Sequence, residues 1–302
     1  MPKVSVVILN YNVADLLREC LRSVLASEAV SFDVWVVDNR STDHSAEMVK
    51  QEFPQVTLIE SPVNGGFAYG NNLAIRRLID GSVAFSDKPD FILLLNPDTL
   101  LVSSVLRDMA EYMDRHPEAG AAGPKLVKKD GSLDLACRRS FPSPEISLYR
   151  MLGLSKRFPR SRRFGRYNLT YLDPDLEAEV DSVVGAFMMV RREVVEQVGL
   201  LDESFFMYGE DLDWAFRMKQ KGWKVLYNPA VTVLHYKGES SRQARAATTS
   251  AFYKAMLIFY RKHYQQSTGF FLHWLIVGAI YGRGGLAHVT NLLRPINQKR
   301  VI

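Results

Sequence analysis

Polar residues follow short apolar runs at three places in the first hundred positions. The three polar clusters are Asn10-Tyr11-Asn12, Asp38-Asn39 and Asn96-Pro97-Asp98. Each preceding run is apolar, as expected of a strand that is covered on both faces. In a doubly wound sheet, ligands bind beyond the carboxyl ends of the strands. We therefore expect the three clusters to meet at one ligand site.

The first two clusters have the chemistry to bind a nucleotide base. The Asp38 carboxylate can accept the imide N–H of a uracil or thymine ring, and the Tyr11 ring can stack on it. Asn12 and Asp43 are explained equally well as caps of the helices that follow. A helix cap alone does not require an acid at the end of a strand. Asp38 is therefore a stronger candidate for base binding than Asn12 or Asp43.

Asp98 is a candidate metal ligand. Mg²⁺ or Mn²⁺ in a phosphate-bearing site takes one or two carboxylates, and diphosphate oxygens and water complete the shell. His235 ends another apolar run, Val231 to Leu234. Neutral imidazole is a good manganese ligand, but a histidine in this position is also commonly structural. His235 becomes a candidate ligand if its strand end faces Asp98.

A third kind of chemistry is predicted in the segment FFMYGEDLDWAFR, where three acids open a helix from Glu210 to Lys221. Acids at a helix N-terminus are favoured by the helix dipole, which is the structural explanation. The surrounding aromatic residues suggest a sugar-binding cleft instead. There Asp211 would act as general base towards a sugar hydroxyl, Glu210 or Asp213 would orient it or bind the acceptor, and Trp214 would pack on a sugar face.

The glycines of Asn64-Gly65-Gly66-Phe67-Ala68-Tyr69-Gly70 precede a helix that we expect to reach Leu78. Their spacing is not G-x-G-x-x-G, and no Gly-Lys-Ser/Thr follows, which disfavours a dinucleotide dehydrogenase and a P-loop protein. The segment predicts a tight turn. The functional alternative is a close backbone approach to a ribose or diphosphate, with Asn71 and Asn72 on the first helical turns.

Strands alternate with helices up to about residue 116, which predicts an α/β fold with a largely parallel sheet. Asp130-Gly131 then predicts a hairpin turn, and residues 138 to 180 show no regular pattern. Order returns with strands at Ser182 to Val190 and Val231 to Leu234 and with helices at Arg191 to Val198 and Gln243 to Tyr264.

The composition is that of an ordinary globular protein: 302 residues, 47% hydrophobic, 24% charged, with a pI near 9.1. The basic balance fits a phosphate-bearing ligand or an anionic membrane surface. Cys20 and Cys137 do not have metal-site spacing, and the N-terminus resembles a first strand rather than a signal peptide. We expect a reduced, cytoplasmic protein with no span of about 18 apolar residues.

Two segments suggest a membrane. Residues 156 to 166 contain six basic residues and no acid. They form either a solvated loop or an anion site for a lipid-diphosphate or a membrane surface. The apolar tail from Phe270 to Ile280, which we expect to be too short to span, could lie in the membrane interface, pack on the body or form a dimer contact.

Five segments, in order, carry a family resemblance: VSVVILNYN, VVDNRSTD, NGGFAYGNN, LLLNPD and YGEDLDWAFR. Over residues 3 to 265 the chain resembles the family 2 glycosyltransferases, most of all bacterial rhamnosyltransferase-like members. The resemblance implies the A-type glycosyltransferase fold, a Rossmann-like, mostly parallel sheet flanked by helices. It also implies a nucleotide-diphospho-sugar donor, a divalent cation, Mg²⁺ or Mn²⁺, and inversion at the anomeric carbon.

The resemblance also assigns roles by position. Tyr11 and Asp38 match base-binding positions, with Asn10 beside them, and Gly66 and Asn72 match the region near ribose and diphosphate. The remaining assignments are Asp98 as the metal-binding acid, Asp211 as the catalytic base and His235 as a further metal ligand. Asn96 departs from the D-x-D form of the family. As a neutral residue it would hydrogen-bond the donor or a metal-bound water.

The implied organisation is a catalytic domain over residues 1–240, with a nucleotide-binding half at 1–116 and an acceptor half at 117–240. Residues 241–302 would form a helical, membrane-associating extension. The favoured reaction moves rhamnose from dTDP-rhamnose to a glycan or polyprenyl-diphosphate-linked acceptor in cell-envelope polysaccharide synthesis. A UDP-sugar donor, or a non-catalytic glycan-binding homologue, is the alternative. We expect no nucleic acid partner and a location in the cytoplasm or on the inner membrane face, and dimerisation stays open.

Overall fold

A computed structural model describes residues 2–80, 88–236 and 245–293 of the chain. The strands are β1 (Lys3–Asn10), β2 (Ser31–Asp38), β3 (Thr57–Glu60), β4 (Phe91–Leu95), β5 (Thr99–Leu100), β6 (Ala119–Val127), β7 (Ala178–Val180), β8 (Phe187–Arg191) and β9 (Lys224–His235). The helices are α1 (Ala14–Leu25), α2 (Ser45–Glu52), α3 (Gly66–Ile79), α4 (Val105–Arg115), α5 (Pro144–Met151), α6 (Leu154–Arg157), α7 (Arg192–Val198), α8 (Glu210–Gln220), α9 (Arg245–His263) and α10 (Phe270–Leu293).

All nine strands join one mixed sheet with the order β3-β2-β1-β4-β8-β6-β9-β5, and β7 pairs with β9. The pairs β3–β2, β2–β1, β1–β4 and β6–β9 are parallel, whereas β8, β5 and β7 run antiparallel to their partners. The central strands β1 and β4 are buried almost throughout. The α/β prediction with a mostly parallel sheet is confirmed. The division into two halves at residue 116 stays a prediction, and the boundary at 240 lies outside the described residues.

Local capping differs from the sequence prediction in the first loop. Asn12 has a positive φ of 54° and does not cap α1. Its Oδ1 accepts a hydrogen bond from Thr42 N, while Asp43 Oδ2 accepts from Ala14 N at 3.0 Å. The carboxylate that caps α1 therefore comes from the loop after β2, and this fixes the two loops against each other.

Residues 138–180 contain more order than predicted. Ser143 Oγ accepts from Ile146 N and begins α5, with Pro144 in the first turn. Ser-Pro-Glu is a helix-start signal that a search for periodicity overlooks because the helix is short. Conversely, the strand predicted from Ser182 is shorter, since β8 begins at Phe187.

The C-terminal helix α10 is longer than the apolar tail suggested. It continues past Ile280 to Leu293, and its stretch Phe270–Thr290 is long and apolar enough to cross a membrane by length and composition, with little of it buried. The expectation that the tail is too short to span is therefore wrong. The first predicted residues of α9, Gln243 and Ala244, lie outside the described residues.

Candidate functional site

The ends of β1 and β2 form one polar cluster. The parallel register pairs Asn10 with Asp38. Asn10 Nδ2 donates to Asp38 Oδ1 at 3.1 Å, and Asp38 Oδ2 accepts from Ser41 N at 2.9 Å. Asn10 Oδ1 is buried without a hydrogen-bond partner among the described residues. Tyr11 lies next to this pair and is partly exposed. The predicted convergence of the first two clusters is confirmed, while binding of a base there stays a prediction.

Asn39 connects this cluster to the glycine turn, a role that the sequence analysis missed. Its Nδ2 donates to Asn64 Oδ1 at 2.9 Å, and its Oδ1 accepts from Gly65 N at 3.1 Å. Asn39 is buried. An amide that is both donor and acceptor can tie two loops together, which is the signal that the residue type offered.

Gly66 and Asn72 both contact the loop before α8. A Cβ on Gly66 would lie 2.1 Å from the carbonyl oxygen of Phe206, and its φ is +86°. Asn72 is fully buried, and its side chain donates to Leu201 O and accepts from Leu201 N. Both residues therefore hold this loop in place. Their assignment to the region near ribose and diphosphate stays a prediction.

Asp98 and His235 face each other, because β5 pairs Thr99 with His235. His235 Nε2 lies 3.3 Å from Asp98 Oδ1, and His235 Nδ1 lies 3.0 Å from Asp134 Oδ2. All three side chains are buried. Burial lowers the pKa of His235, but the two carboxylates outweigh this and raise it to about 9. Asp134 was not predicted, and its position after the hairpin gave no signal.

This group fits a divalent cation. Asp98 Oδ1 is buried, and its neighbour among the described residues is His235 Nε2 at 3.3 Å, so a cation held by both groups would replace the proton between them. A carboxylate on the far nitrogen of a metal-binding histidine is the arrangement that usually fixes ring orientation. No cluster of three or more acid, cysteine or histidine side chains within the described ranges is arranged as a metal site. Asp98 and His235 would thus hold the ion together with oxygens of a substrate.

Asp211, at the start of α8, is held by a buried arginine. Its Oδ2 accepts from Arg139 Nη2 at 2.7 Å and from Gly185 N at 3.0 Å. Arg139 also donates to Val183 O. An arginine fork that bonds a carboxylate and a carbonyl fixes both groups. Arg139 is therefore a further residue of the site that the sequence analysis missed, since it lies in the segment without a regular pattern.

Glu210 is the second carboxylate of this group. It is 5% exposed, and its Oε2 is buried without a hydrogen-bond partner among the described residues. Burial and the neighbouring Asp211 raise the pKa of Glu210 to about 8. Two adjacent carboxyls with different environments can hold different protonation states near neutral pH. Glu210 can then donate a hydrogen bond while Asp211 accepts.

Asp213 and Trp214 do not face the site. Asp213 is fully buried and pairs with Arg217, Lys262 and His263, which connects α8 to α9. Trp214 is also fully buried, and its indole N–H donates to Gly199 O at 2.8 Å. This burial gives both side chains structural partners, and the expectation that Asp213 binds the acceptor and Trp214 packs on a sugar stays a prediction.

The segment before β8 connects the two groups of acids. Asn96 N donates to Ala186 O at 3.0 Å, and the adjacent Gly185 N bonds Asp211. Asn96 itself is partly exposed at the end of β4. The carboxyl end of β4 and the start of α8 therefore border one site.

Comparison with known proteins agrees with this arrangement. The family described as "Glycosyltransferase like family 2" matches residues 2–251. The chain is 28% identical over 296 residues to an N-acetylglucosaminyl-diphospho-decaprenol L-rhamnosyltransferase of Mycobacterium tuberculosis, covering 97% of this chain and 95% of that protein. It is 25% identical over 241 residues to rhamnosyltransferase WbbL of Escherichia coli, covering 79% and 85%.

A solved structure gives the fold. Mannosyltransferase PcManGT of Pyrobaculum calidifontis, in complex with GDP-Man and Mn²⁺, superposes with a TM-score of 0.57 at 16% identity, over 96% of this chain and 72% of that one. The fold is thus the A-type glycosyltransferase fold. With the family match across most of its length, the chain belongs to the family 2 glycosyltransferases.

Proposed function

We propose that this glycosyltransferase is a metal-dependent, inverting rhamnosyltransferase that uses dTDP-rhamnose. Its acceptor would be a glycan or a sugar on a polyprenyl diphosphate, in cell-envelope polysaccharide synthesis. The observation that carries the donor and acceptor is the similarity, over nearly the full length, to a rhamnosyltransferase named for a diphospho-decaprenol substrate. A UDP-sugar donor is the alternative, since the Asp38 carboxylate would accept the imide N–H of either base.

Each candidate residue has a proposed role in binding the donor or the metal. Asn10 and Asp38 would hold the base, with Tyr11 stacked on it, and Asn96 would bond the donor. Asp98 and His235 would hold Mg²⁺ or Mn²⁺, which when bound neutralises charge on the departing diphosphate. The observation that supports this is that the buried Asp98 Oδ1 lies 3.3 Å from His235 Nε2.

Asp211 would take the proton from the acceptor hydroxyl as that hydroxyl attacks the anomeric carbon. Its Oδ2 is fixed by Arg139 and Gly185, while its Oδ1 accepts only from Leu212 N among the described residues and can accept again. Glu210, protonated near neutral pH, would donate to the acceptor. A single displacement of this kind inverts the anomeric carbon.

Transfer from dTDP-rhamnose to a synthetic polyprenyl-diphospho-N-acetylglucosamine, followed by mass spectrometry, tests the proposal. UDP-sugars form the parallel arm. Asp211→Asn should lower kcat by about 10²- to 10⁴-fold, the usual contribution of a general base. Full activity of this variant would exclude Asp211 as the base, and no turnover with any donor would favour a non-catalytic glycan-binding protein.

A further inference from the structure

The outer surface of α10 carries an unusual amount of exposed apolar area. Phe271, Leu275, Leu286 and Val289 are 88%, 63%, 55% and 52% exposed. Successive members of this set are four, eleven and three positions apart, and these spacings place all four side chains along one side of the helix. On a helix that faces water, this side would be polar.

The opposite side of α10 is already occupied by α9. Val277 and Ile280 pack with Leu257 and Tyr260 of α9. The Tyr260 hydroxyl lies 3.0 Å from His273 Nδ1, and Ser250 Oγ lies 3.1 Å from His288 Nε2. These contacts run along most of both helices in antiparallel order. They hold α10 flat against α9 and leave the apolar side outward.

A second feature close to this pair supplies positive charge. Residues 156–166 expose six basic side chains, and Leu152 and Phe158 beside them are 64% and 45% exposed. The segment is followed by Tyr167, whose carbonyl accepts from Ser140 N. The neighbouring Phe141 packs on Phe259 of α9 with ring centroids 6.4 Å apart. The basic segment is thus anchored beside the C-terminal end of α9, where α10 begins.

We propose that the outward side of α10 and the basic segment 156–166 together dock the protein on an anionic lipid bilayer, with α10 lying in the interface. Exposed aromatic and aliphatic residues next to exposed cations are the two components of interfacial binding. The antiparallel packing on α9 places α10 along the body, which favours lying in the plane over spanning. The proposal does not depend on the donor or the acceptor.

Sedimentation of the full chain with vesicles tests the docking surface. Binding to vesicles of phosphatidylcholine mixed with phosphatidylglycerol should exceed binding to phosphatidylcholine alone, and added salt should reverse it. Leu275→Glu should weaken partitioning by about tenfold or more, the value of one buried leucine side chain. The matched control is Leu176→Glu, because Leu176 has the same 63% exposure and lies outside both features.

The charge is tested with Arg160→Glu, and Arg77→Glu on the exposed side of α3 is its control. Arg160→Glu should reduce the preference for phosphatidylglycerol by about tenfold or more, because each basic side chain near the surface contributes about 1 kcal/mol, and Arg77→Glu should retain it. Equal loss in Leu275→Glu and Leu176→Glu would overturn the proposal. So would a dimer in light scattering that Leu275→Glu converts to a monomer without any vesicle binding.

A spanning arrangement is distinguished by extraction. A protein in the interface is released from vesicles by salt and alkaline carbonate, whereas a spanning helix stays and requires detergent. Retention after carbonate would overturn the in-plane placement. Thermal stabilisation by nucleotide-sugar should be the same in Leu275→Glu as in the unmodified chain, which separates this test from that of the reaction.

Discussion

At the scale of single residues, the site owes its properties to partners that keep each polar group in one state. Asp211 and Glu210 are adjacent in sequence. Of these two carboxyls, Asp211 is the one that accepts hydrogen bonds from Arg139 and Gly185. Glu210 is buried beside that charge, which raises its pKa. The difference in hydrogen bonding between the two neighbouring carboxyls is therefore set largely by Arg139, which lies 72 residues before Asp211 in the chain, and not by local sequence.

This difference predicts an alkaline limb in the rate profile. Glu210, with a pKa of about 8, is protonated at neutral pH and ionises as the pH rises through that value. Ionisation places a second negative charge beside Asp211 and removes a hydrogen-bond donor. We expect kcat/KM to fall above about pH 8, and Glu210→Gln, which stays neutral, to lack this fall.

The profile is measured from pH 6 upward with saturating metal. Asp211→Asn serves as the control, because this variant should have reduced kcat/KM at every pH. An unchanged alkaline limb in Glu210→Gln would show that another group titrates there.

Asp134 is expected to support metal binding through His235. Its carboxylate bonds His235 Nδ1 and would fix the ring that faces Asp98. Asp134→Asn should weaken Mn²⁺ affinity in the presence of donor by about 10- to 100-fold, the usual effect of such an outer partner. Asp130→Asn is the control, since Asp130 is exposed at the hairpin turn and bonds only Ser132 among the described residues. Equal metal affinity in the two variants would contradict the role of Asp134.

At the scale of elements, the glycine turn before α3 acts as a brace for the loop before α8. Phe67 N donates to Phe206 O at 2.7 Å, and Gly66 leaves no room for a side chain beside that carbonyl. A glycine-rich turn predicts a close approach correctly. What approaches it is decided by the fold, and here another loop of the chain, the one before α8, lies against Gly66.

Gly66→Ala should accordingly lower the free energy of unfolding by more than the cost of placing an alanine in a left-handed backbone conformation. Gly131 provides the comparison, because its φ is +76° and nothing lies within 4 Å of an added Cβ. Gly131→Ala should cost about 1 kcal/mol, the penalty of left-handed backbone alone. Gly66→Ala adds a clash with Phe206 O and should cost about 2 kcal/mol more. Equal denaturation midpoints for the two variants would exclude the brace.

The ion cluster between α8 and α9 gives a stability prediction with a sign. Burial raises the pKa of Asp213, but His263, Lys262 and Arg217 outweigh it, and the pKa is lowered. The stabilisation is therefore present above the unfolded pKa and is lost as pH falls through the folded value. Asp213→Asn should lower the free energy of unfolding at pH 7 by about 3 kcal/mol, and the difference should shrink in acid. A difference independent of pH would contradict this origin.

At the scale of the whole molecule, the mostly parallel α/β sheet and the placement of polar clusters could be predicted from sequence, because parallel strands share one carboxyl edge. Asn10, Asp38 and Asp98 were found in this way. The roles of Arg139 and Asp134 could not be predicted, and neither could the environment of Glu210. All three depend on loops that the fold brings together across the sheet. The burial of Asp213 and Trp214 was hidden for the same reason: Lys262 and His263 of α9 pair with Asp213, and Trp214 packs into the main core and bonds Gly199.

Metal and donor should bind cooperatively. On the proposed assignment Asp98 and His235 would supply two protein ligands, so a cation should bind firmly when donor phosphates complete its shell. In a thermal shift assay, Mn²⁺ alone and dTDP alone should each raise the melting temperature little. Together they should raise it by more than the sum, because each ligand increases the affinity of the other by the same factor. A free ligand at about a hundred times its Kd would add about 2.7 kcal/mol to stability. Asp98→Asn should remove the synergy and leave the shift with dTDP alone, whereas additive shifts in the unmodified chain would place the metal away from the donor phosphates.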